Sequence, residues 1–164
     1  MKSWKTIGVM AMGTVLVFSA TALMSPQTQA EEIARQNLPA GSVLVESEFD
    51  DGLYEFKFVN ESENKIYSYE VDPAAQKIVK EKVKRIGATG GFSVKLTMEE
   101  AKEKVLQMYP GADVFSVSLD TEDGLRVYEV KFSTSALRGE VELNAETGEW
   151  LERKEVHAPY HFRK

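Results

Sequence analysis

Alternating apolar and polar residues mark two stretches of this chain as β-strands with one covered face. In LYEFKF (residues 53–58) the aromatic residues alternate with Glu55 and Lys57, and VYEVKF (residues 127–132) repeats the pattern. Successive side chains of a strand point to opposite faces, so each stretch has an apolar face and a charged face. This pattern is typical of an antiparallel sheet that packs on a core on one side and meets water on the other.

Turn residues surround both stretches. Asp51-Gly52 and Asp123-Gly124 come directly before them and predict short hairpin turns, in which glycine supplies a positive φ. Two further strands are predicted in each half, at residues 65–71 and 77–83 and at residues 139–143 and 149–156. The turns between these strands are predicted at residues 72–76 and 144–148.

Apolar residues at helical spacing precede each group of strands. Thr97 followed by Glu100 has the pattern of a capping box and predicts a helix over residues 98–109 that ends at Pro110. The apolar residues of this helix are Ala101, Val105, Met108 and Tyr109. The corresponding helix of the first half is shorter, and its apolar residues before Pro39 are Ala30, Ile33, Ala34 and Leu38.

The two halves share one order of elements, and their Asp-Gly pairs are 72 residues apart. We therefore predict an α+β fold with two repeated units, each a helix packed on a three- or four-stranded antiparallel sheet. Residues 31–85 are predicted to form the first unit and residues 97–156 the second. Residues 86–96, which contain three glycines, are interpreted as a linker, and residues 157–164 as a tail.

The first 30 residues have the layout of a signal peptide. Lys2 and Lys5 form a basic start, residues 6–30 contain no charge, and small residues follow the apolar part. Cleavage is expected after Ala30, with cleavage after Ala22 or an uncleaved anchor as alternatives. Cleavage after Ala30 would trim the first predicted helix, whereas cleavage after Ala22 would leave Ser25-Pro26 as its cap and first turn.

The composition of the chain argues against several classes of partner and of chemistry. The net charge of −6 argues against nucleic acid and anionic lipid as partners, because like charges repel. The chain contains no cysteine, which excludes a disulfide framework, a thiol nucleophile and a lipid anchor on cysteine. A membrane contact is expected only through an uncleaved N-terminal segment.

The second unit resembles the PepSY domain, in which a helix ending at proline is followed by strands with the patterns D-G-x-x-V-Y-E-V and L-x-A-x-T-G. The matching residues are Pro110, Val117, Asp123, Gly124, Val127, Tyr128, Glu129, Val130, Leu143, Ala145, Thr147 and Gly148. The first unit is similar but more divergent, and it has Ala75-Gln76 where the pattern has Thr-Gly. The resemblance implies two small α+β PepSY-like units, a role in holding or inhibiting peptidases, and no catalytic residues.

The remaining candidates for chemistry are weak. His157 and His161 have the i, i+4 spacing of metal ligands, but Pro159 disfavours a helix there. Asn60-Glu61-Ser62 fits a glycosylation sequon, which is a common chance match. Trp150 replaces the aliphatic Ile78 of the first half and is a candidate for a partner contact. We therefore expect no catalytic, cofactor or metal residues.

These observations predict a non-catalytic, secreted or cell-envelope binding module. Its expected partner is an extracytoplasmic protein, with a peptidase to be bound or inhibited as the leading candidate. The alternative is a sensor or assembly component of the cell envelope without inhibitory activity. An enzyme is not expected, because neither histidine stands near a plausible nucleophile in the sequence.

Overall fold

Two capped helices begin the two halves of the chain. The computed structural model describes residues 24–158. Helix α1 spans Pro26–Arg35, and the hydroxyl of its N-cap Ser25 accepts a hydrogen bond from the backbone N–H of Thr28. Helix α2 spans Met98–Met108 and begins with the predicted capping box of Thr97 and Glu100. Helix α1 thus starts ahead of the boundary predicted at residue 31.

Four strands follow each helix, and all eight belong to one antiparallel sheet with the order β1-β2-β3-β4-β8-β7-β6-β5. The first four strands are β1 (Val43–Asp50), β2 (Leu53–Asn60), β3 (Lys65–Asp72) and β4 (Lys77–Arg85). The last four are β5 (Asp113–Glu122), β6 (Leu125–Ser133), β7 (Leu137–Asn144) and β8 (Trp150–His157). The sequence predicted separate sheets of three or four strands. The structure has one continuous sheet, because residues 80–84 of β4 pair with residues 152–156 of β8.

Both helices cover the same face of this sheet. Val83 of β4 lies in the core under α1 and pairs with Arg153 of β8, which pairs in turn with Val141 in the core under α2. Directly paired residues of neighbouring strands share a face. Half-buried Trp150 packs against both cores and connects them.

The opposite face carries no helix, and we call it the uncovered face. Its side chains alternate with those of the core and are mostly charged, as the sequence predicted for the second face of each strand. Lys80, Lys82 and Lys84 follow one another on this face of β4. Glu142 of β7 and Glu152 of β8 face the same side and pair directly.

The predicted hairpin turns are confirmed. Asp51 and Gly52 both have positive φ, as do Asp123 and Gly124, which is the backbone form of the two-residue type I′ turn. The second hairpin is longer, because two more residues, Arg126 and Val127, lie between its turn and the tyrosine that begins the shared Tyr-Glu pattern.

The two outer strands are irregular. The pairing register shifts at Val45 in β1 and at Phe115 in β5, so each outer strand carries a β-bulge. Both side chains are exposed at these points.

Gly148 occupies the turn between β7 and β8 with φ +74°. A side chain in this left-handed region costs about 1–2 kcal/mol. A Cβ built on Gly148 would also lie 2.5 Å from Cε of Lys104 and 3.1 Å from Cδ2 of Leu96. The corresponding turn between β3 and β4 has Gln76, also at positive φ.

We expect Gly148→Val to lower the free energy of unfolding by about 1–2 kcal/mol, because valine enters the left-handed region only with strain. Urea denaturation measures this loss as a lower midpoint. Gln76→Val is the matched control and should cost less, since a residue with a Cβ already occupies that position. A denaturation curve of Gly148→Val that overlays the wild-type curve would show that the turn does not need glycine.

Candidate protein-binding surface

The uncovered face carries many charged side chains, several of which form ion pairs, and clefts lie between them. Glu70 pairs with Lys80, and the carboxylate of Glu152 lies 2.6 Å from Nζ of Lys82. A cleft of about 340 Å³ lies over β2, β3 and β4. Its lining residues include Glu46, Glu55, Lys57, Ile66, Ser68, Glu70, Lys80, Lys82 and Lys84. These alternating charges give this cleft a polar surface without a dominant sign.

A larger cleft of about 680 Å³, here called the linker cleft, lies between residues 86–92, the β5–β6 hairpin and the centre of the sheet. Its large apolar lining residues are Ile66, Ile86, Phe92, Leu125, Val127 and Leu151. Its charged lining residues are Lys84, Arg85, Glu122, Asp123 and Glu142. Phe92 is 78% exposed and Ile86 is 44% exposed, so two large apolar side chains of the wall face solvent.

Hydrogen bonds hold the wall of this cleft in place, although residues 86–96 were interpreted as a linker from their glycines. The backbone N–H of Arg126 donates to the carbonyl of Gly91 at 2.5 Å. The N–H of Gly91 donates to the carboxylate of Glu146 at 2.8 Å, and Nζ of Lys95 lies 2.9 Å from the same carboxylate. Lys95, and then the Gly91 N–H, lower the pKa of Glu146 to about 2. The backbone beside Phe92 is therefore fixed at both the long hairpin and the β7–β8 turn.

Glu142 is the chemically unusual residue of the linker cleft. It is 8% exposed, and burial raises its pKa to about 8, helped by the charge of Glu152 and a hydrogen bond with Glu122. Lys84 acts in the opposite direction but does not compensate. Among residues 24–158, no ion pair forms at the Glu142 carboxylate, and its burial favours the protonated form.

Sequence reasoning did not single out Glu142 as a site residue. In the alternating pattern of β7, Glu142 has the same position as the residues of the solvent-exposed face. Its burial arises from the hairpin and from residues 86–92, which lie over this part of the sheet. The local signal in the sequence is the extra length of the second hairpin, which our sequence analysis did not use.

Trp150, the predicted contact residue, has partners within the chain. The guanidinium carbons of Arg85 and Arg153 lie 4.5 and 5.0 Å from the centre of its ring. These cation–π contacts and the packing against both cores give the tryptophan a structural role at the junction of the two halves.

The other residues noted from the sequence form no site in the part of the chain that is described. His157 ends β8, whereas His161 lies outside the described residues. Asn60 is buried, and its side-chain amide donates to the carbonyl of Ala40 and the hydroxyl of Ser42. This burial disfavours glycosylation at the sequon. Within residues 24–158, no group of three or more His, Asp or Glu side chains is arranged to hold a metal ion.

A family comparison identifies one domain in this chain. Residues 95–154 match the PepSY family, described as the peptidase propeptide and YPEB domain. The match covers α2 and most of β5 to β8, so a single PepSY domain is assigned there, and a tandem of two is not confirmed. PepSY domains are typically extracytoplasmic and resemble propeptides or inhibitors. Comparison with curated protein sequences gives no match.

Three solved structures show distant likeness, each with a TM-score of 0.33. A protein described as a lipoprotein, from Clostridium difficile 630, is 17% identical over 70% of this chain and 83% of its own. A BLIP-like protein from Bacteroides fragilis is 12% identical over 88% and 96%. The C-terminal domain of YpeB from Bacillus megaterium is 17% identical over 80% and 63%. At this score the likeness supports no conclusion about function.

Neither helix within residues 24–158 has the length and apolar character needed to cross a membrane.

The raised pKa of Glu142 predicts a specific pH dependence of stability. Between the ordinary carboxyl pKa near 4.5 and about 8, the folded chain keeps a proton that the unfolded chain loses, so stability falls as pH rises through this window. Glu142→Gln carries no such proton. We therefore expect the variant to gain stability relative to wild type from about pH 5 to 8 and to keep a constant advantage above about pH 9.

Urea denaturation at a series of pH values measures this difference. Glu129 and Glu152 pair directly with Glu142, and Glu122 and Lys84 also act on its pKa. Asp123 lines the same cleft, and Glu140, Lys131 and Lys154 lie one pair further along the same face. All these groups are unchanged in the variant. Glu55→Gln removes an exposed glutamate from the same face and is the control. Parallel stability curves for wild type and Glu142→Gln over this pH range would contradict the assignment.

Proposed function

We propose that this chain is a non-catalytic, extracytoplasmic binding module that engages an exported protein through its uncovered face. The linker cleft carries this proposal. Exposed aromatic residues on a fixed backbone beside a hollow of this size are typical of contact sites, because they bury large apolar area at little entropic cost. Phe92 is such a residue, since hydrogen bonds of Gly91 fix the chain next to it.

A peptidase is the partner class that we propose. The support is the PepSY match, because the family description names peptidase propeptides. A cell-envelope sensor or assembly component would use the same surface but would leave the activity of its partner unchanged. The two functions therefore differ in whether binding changes the activity of the partner, which can be measured.

We also propose that the first half is a divergent copy of the second. Residues 26–85 and 98–157 have the same order of one helix and four strands. At the centre of the sheet Lys82 pairs with Lys154, and these residues are 72 positions apart, as the Asp-Gly pairs are. An antiparallel pair centred on corresponding residues is what a local two-fold axis between two copies produces.

For export, we propose a signal peptide that ends at Ala22 rather than Ala30. Ala30 is fully buried against the sheet, and Ser25 caps the helix that contains it. Cleavage after Ala30 would remove the cap and the first half of α1, including a core residue. Residues 1–22 themselves lie outside the described part of the chain.

Intact-mass measurement of the exported protein tests this proposal, and we expect a mature chain that begins at Leu23. A mature chain that begins at Glu31 would mean that α1 does not form as described. A chain that retains residue 1 would support the uncleaved anchor.

The binding proposal predicts that Phe92→Asp weakens partner capture at least about tenfold, because it places a charge in the apolar wall. The mature chain, residues 23–164, is immobilised and exposed to the secreted and envelope fractions of the producing cells. Phe115→Asp is the matched control, because Phe115 is also exposed but lies on the bulge of β5. A protein retained by wild type and by the control but lost from Phe92→Asp is the expected partner.

The captured protein is then assayed for peptidase activity with and without the chain. Inhibition supports the peptidase function, and a captured protein with unchanged activity supports the sensor or assembly function. Equal capture by wild type and Phe92→Asp would show that the linker cleft is not the contact surface.

A further inference from the structure

The two halves place the same row of side chains across the uncovered face, with one difference. In the first half, Glu55 pairs with Glu70, and Glu70 pairs with Lys80. In the second half the row consists of Glu129, Glu142 and Glu152. A glutamate thus stands at the position where the first half has a lysine.

This difference leaves Glu142 without the cation that its counterpart has. Glu70 forms an ion pair with Lys80. The other carboxylates of the second row also have cations, since Glu129 lies 2.7 Å from Nζ of Lys131 and Glu152 lies 2.6 Å from Nζ of Lys82. Within the described residues, Glu142 has the carboxyl group of Glu122 as its hydrogen-bond partner.

The linker cleft lies above Glu142, and its apolar side chains can contact an alkyl chain. Glu142 lines the linker cleft together with the apolar side chains of Leu151, Val127 and Phe92. A buried carboxylate is stable only with a cation or a proton, so a cation that enters the cleft can displace the proton of Glu142. The cleft therefore offers a carboxyl group without an ion pair at its base and apolar contact along its wall.

We infer that the linker cleft binds a lysine or arginine side chain of the partner protein, with its charged end at Glu142 and its alkyl stem against the apolar wall. This inference rests on the proposed function and adds the chemistry of the contact. The bound cation supplies to Glu142 the positive charge that Lys80 supplies to Glu70. A metal ion suits the site less well, because large apolar side chains surround Glu142 in the cleft and no group of three ligands converges there among the described residues.

The test uses the mature chain and two small probes that differ in charge, Nα-acetyl-arginine amide and its neutral analogue Nα-acetyl-citrulline amide. Binding is followed by the NMR shifts of Phe92, Val127 and Leu151. We expect the arginine probe to bind at least about tenfold more tightly than the citrulline probe. Its affinity should rise about tenfold from about pH 7 to pH 9, because it binds the ionised form of Glu142.

Two variants distinguish the site from general attraction to an acidic protein. Glu142→Gln should lose the preference for arginine over citrulline, whereas Glu55→Gln in the first row should keep it. Glu152→Lys supplies an internal cation at the position of Lys80 and should also abolish arginine binding. The NMR spectrum of each variant reports whether it remains folded, and Glu142→Gln decides the result if Glu152→Lys does not fold.

Equal binding of the two probes, or arginine binding that is unchanged in Glu142→Gln, would overturn the inference. The inference would also be overturned if Ca²⁺ or Mg²⁺ shifted the NMR signals of the same residues and the arginine probe did not, because this result would indicate a metal site. The proposed function fails separately, through equal partner capture by wild type and Phe92→Asp. If Phe92→Asp loses the partner while the arginine probe does not bind, the binding function stands and the inference falls.

Discussion

The backbone pairing between β4 and β8 is the interaction on which the rest of the structure depends. Each half of the chain has four strands, and each four-stranded sheet would expose an inner edge with unpaired N–H and C=O groups. The pairing satisfies both edges at once and makes a single sheet of eight strands. It also brings Trp150 into contact with both cores, so the hydrophobic interior is continuous across the junction.

This arrangement separates the two faces of the sheet. Both helices and the two hydrophobic core clusters lie on one face, and the other face presents charged side chains from both halves of the chain, with apolar residues gathered in the linker cleft. Because corresponding rows lie side by side on one surface, a single change between the halves becomes visible as a local imbalance of charge. The replacement of a lysine by Glu152 is such a change, and it coincides with the place where the longer hairpin and residues 86–92 form a hollow.

Much of the fold follows from local sequence patterns. The alternation around Tyr128, the capping box at Thr97 and the Asp-Gly turns each predicted an element that the structure contains at that place. The union of the two sheets was not predictable in this way. Pairing between β4 and β8 joins residues about 70 positions apart, and no local pattern specifies which edges meet.

The candidate site shows the same division between local and long-range information. Residues 86–92 read as a flexible linker because glycines dominate them, yet Glu146 and Arg126, both distant in sequence, fix their backbone. Likewise the sequence pattern places Glu142 on the solvent-exposed face, whereas in the structure the hairpin covers it. Residues whose environment is created by other segments are those that sequence reasoning misses.

The bulges in β1 and β5 affect the tendency of this protein to aggregate through its outer strands. With the inner edges joined, the described sheet keeps only two free edges, and a regular free edge is a template for further strands and finally for aggregates. At Val45 and Phe115 the spacing of donors and acceptors is broken within each outer strand. A strand from a neighbouring molecule therefore cannot keep one register along the whole of either outer strand, which disfavours extension of the eight-stranded sheet.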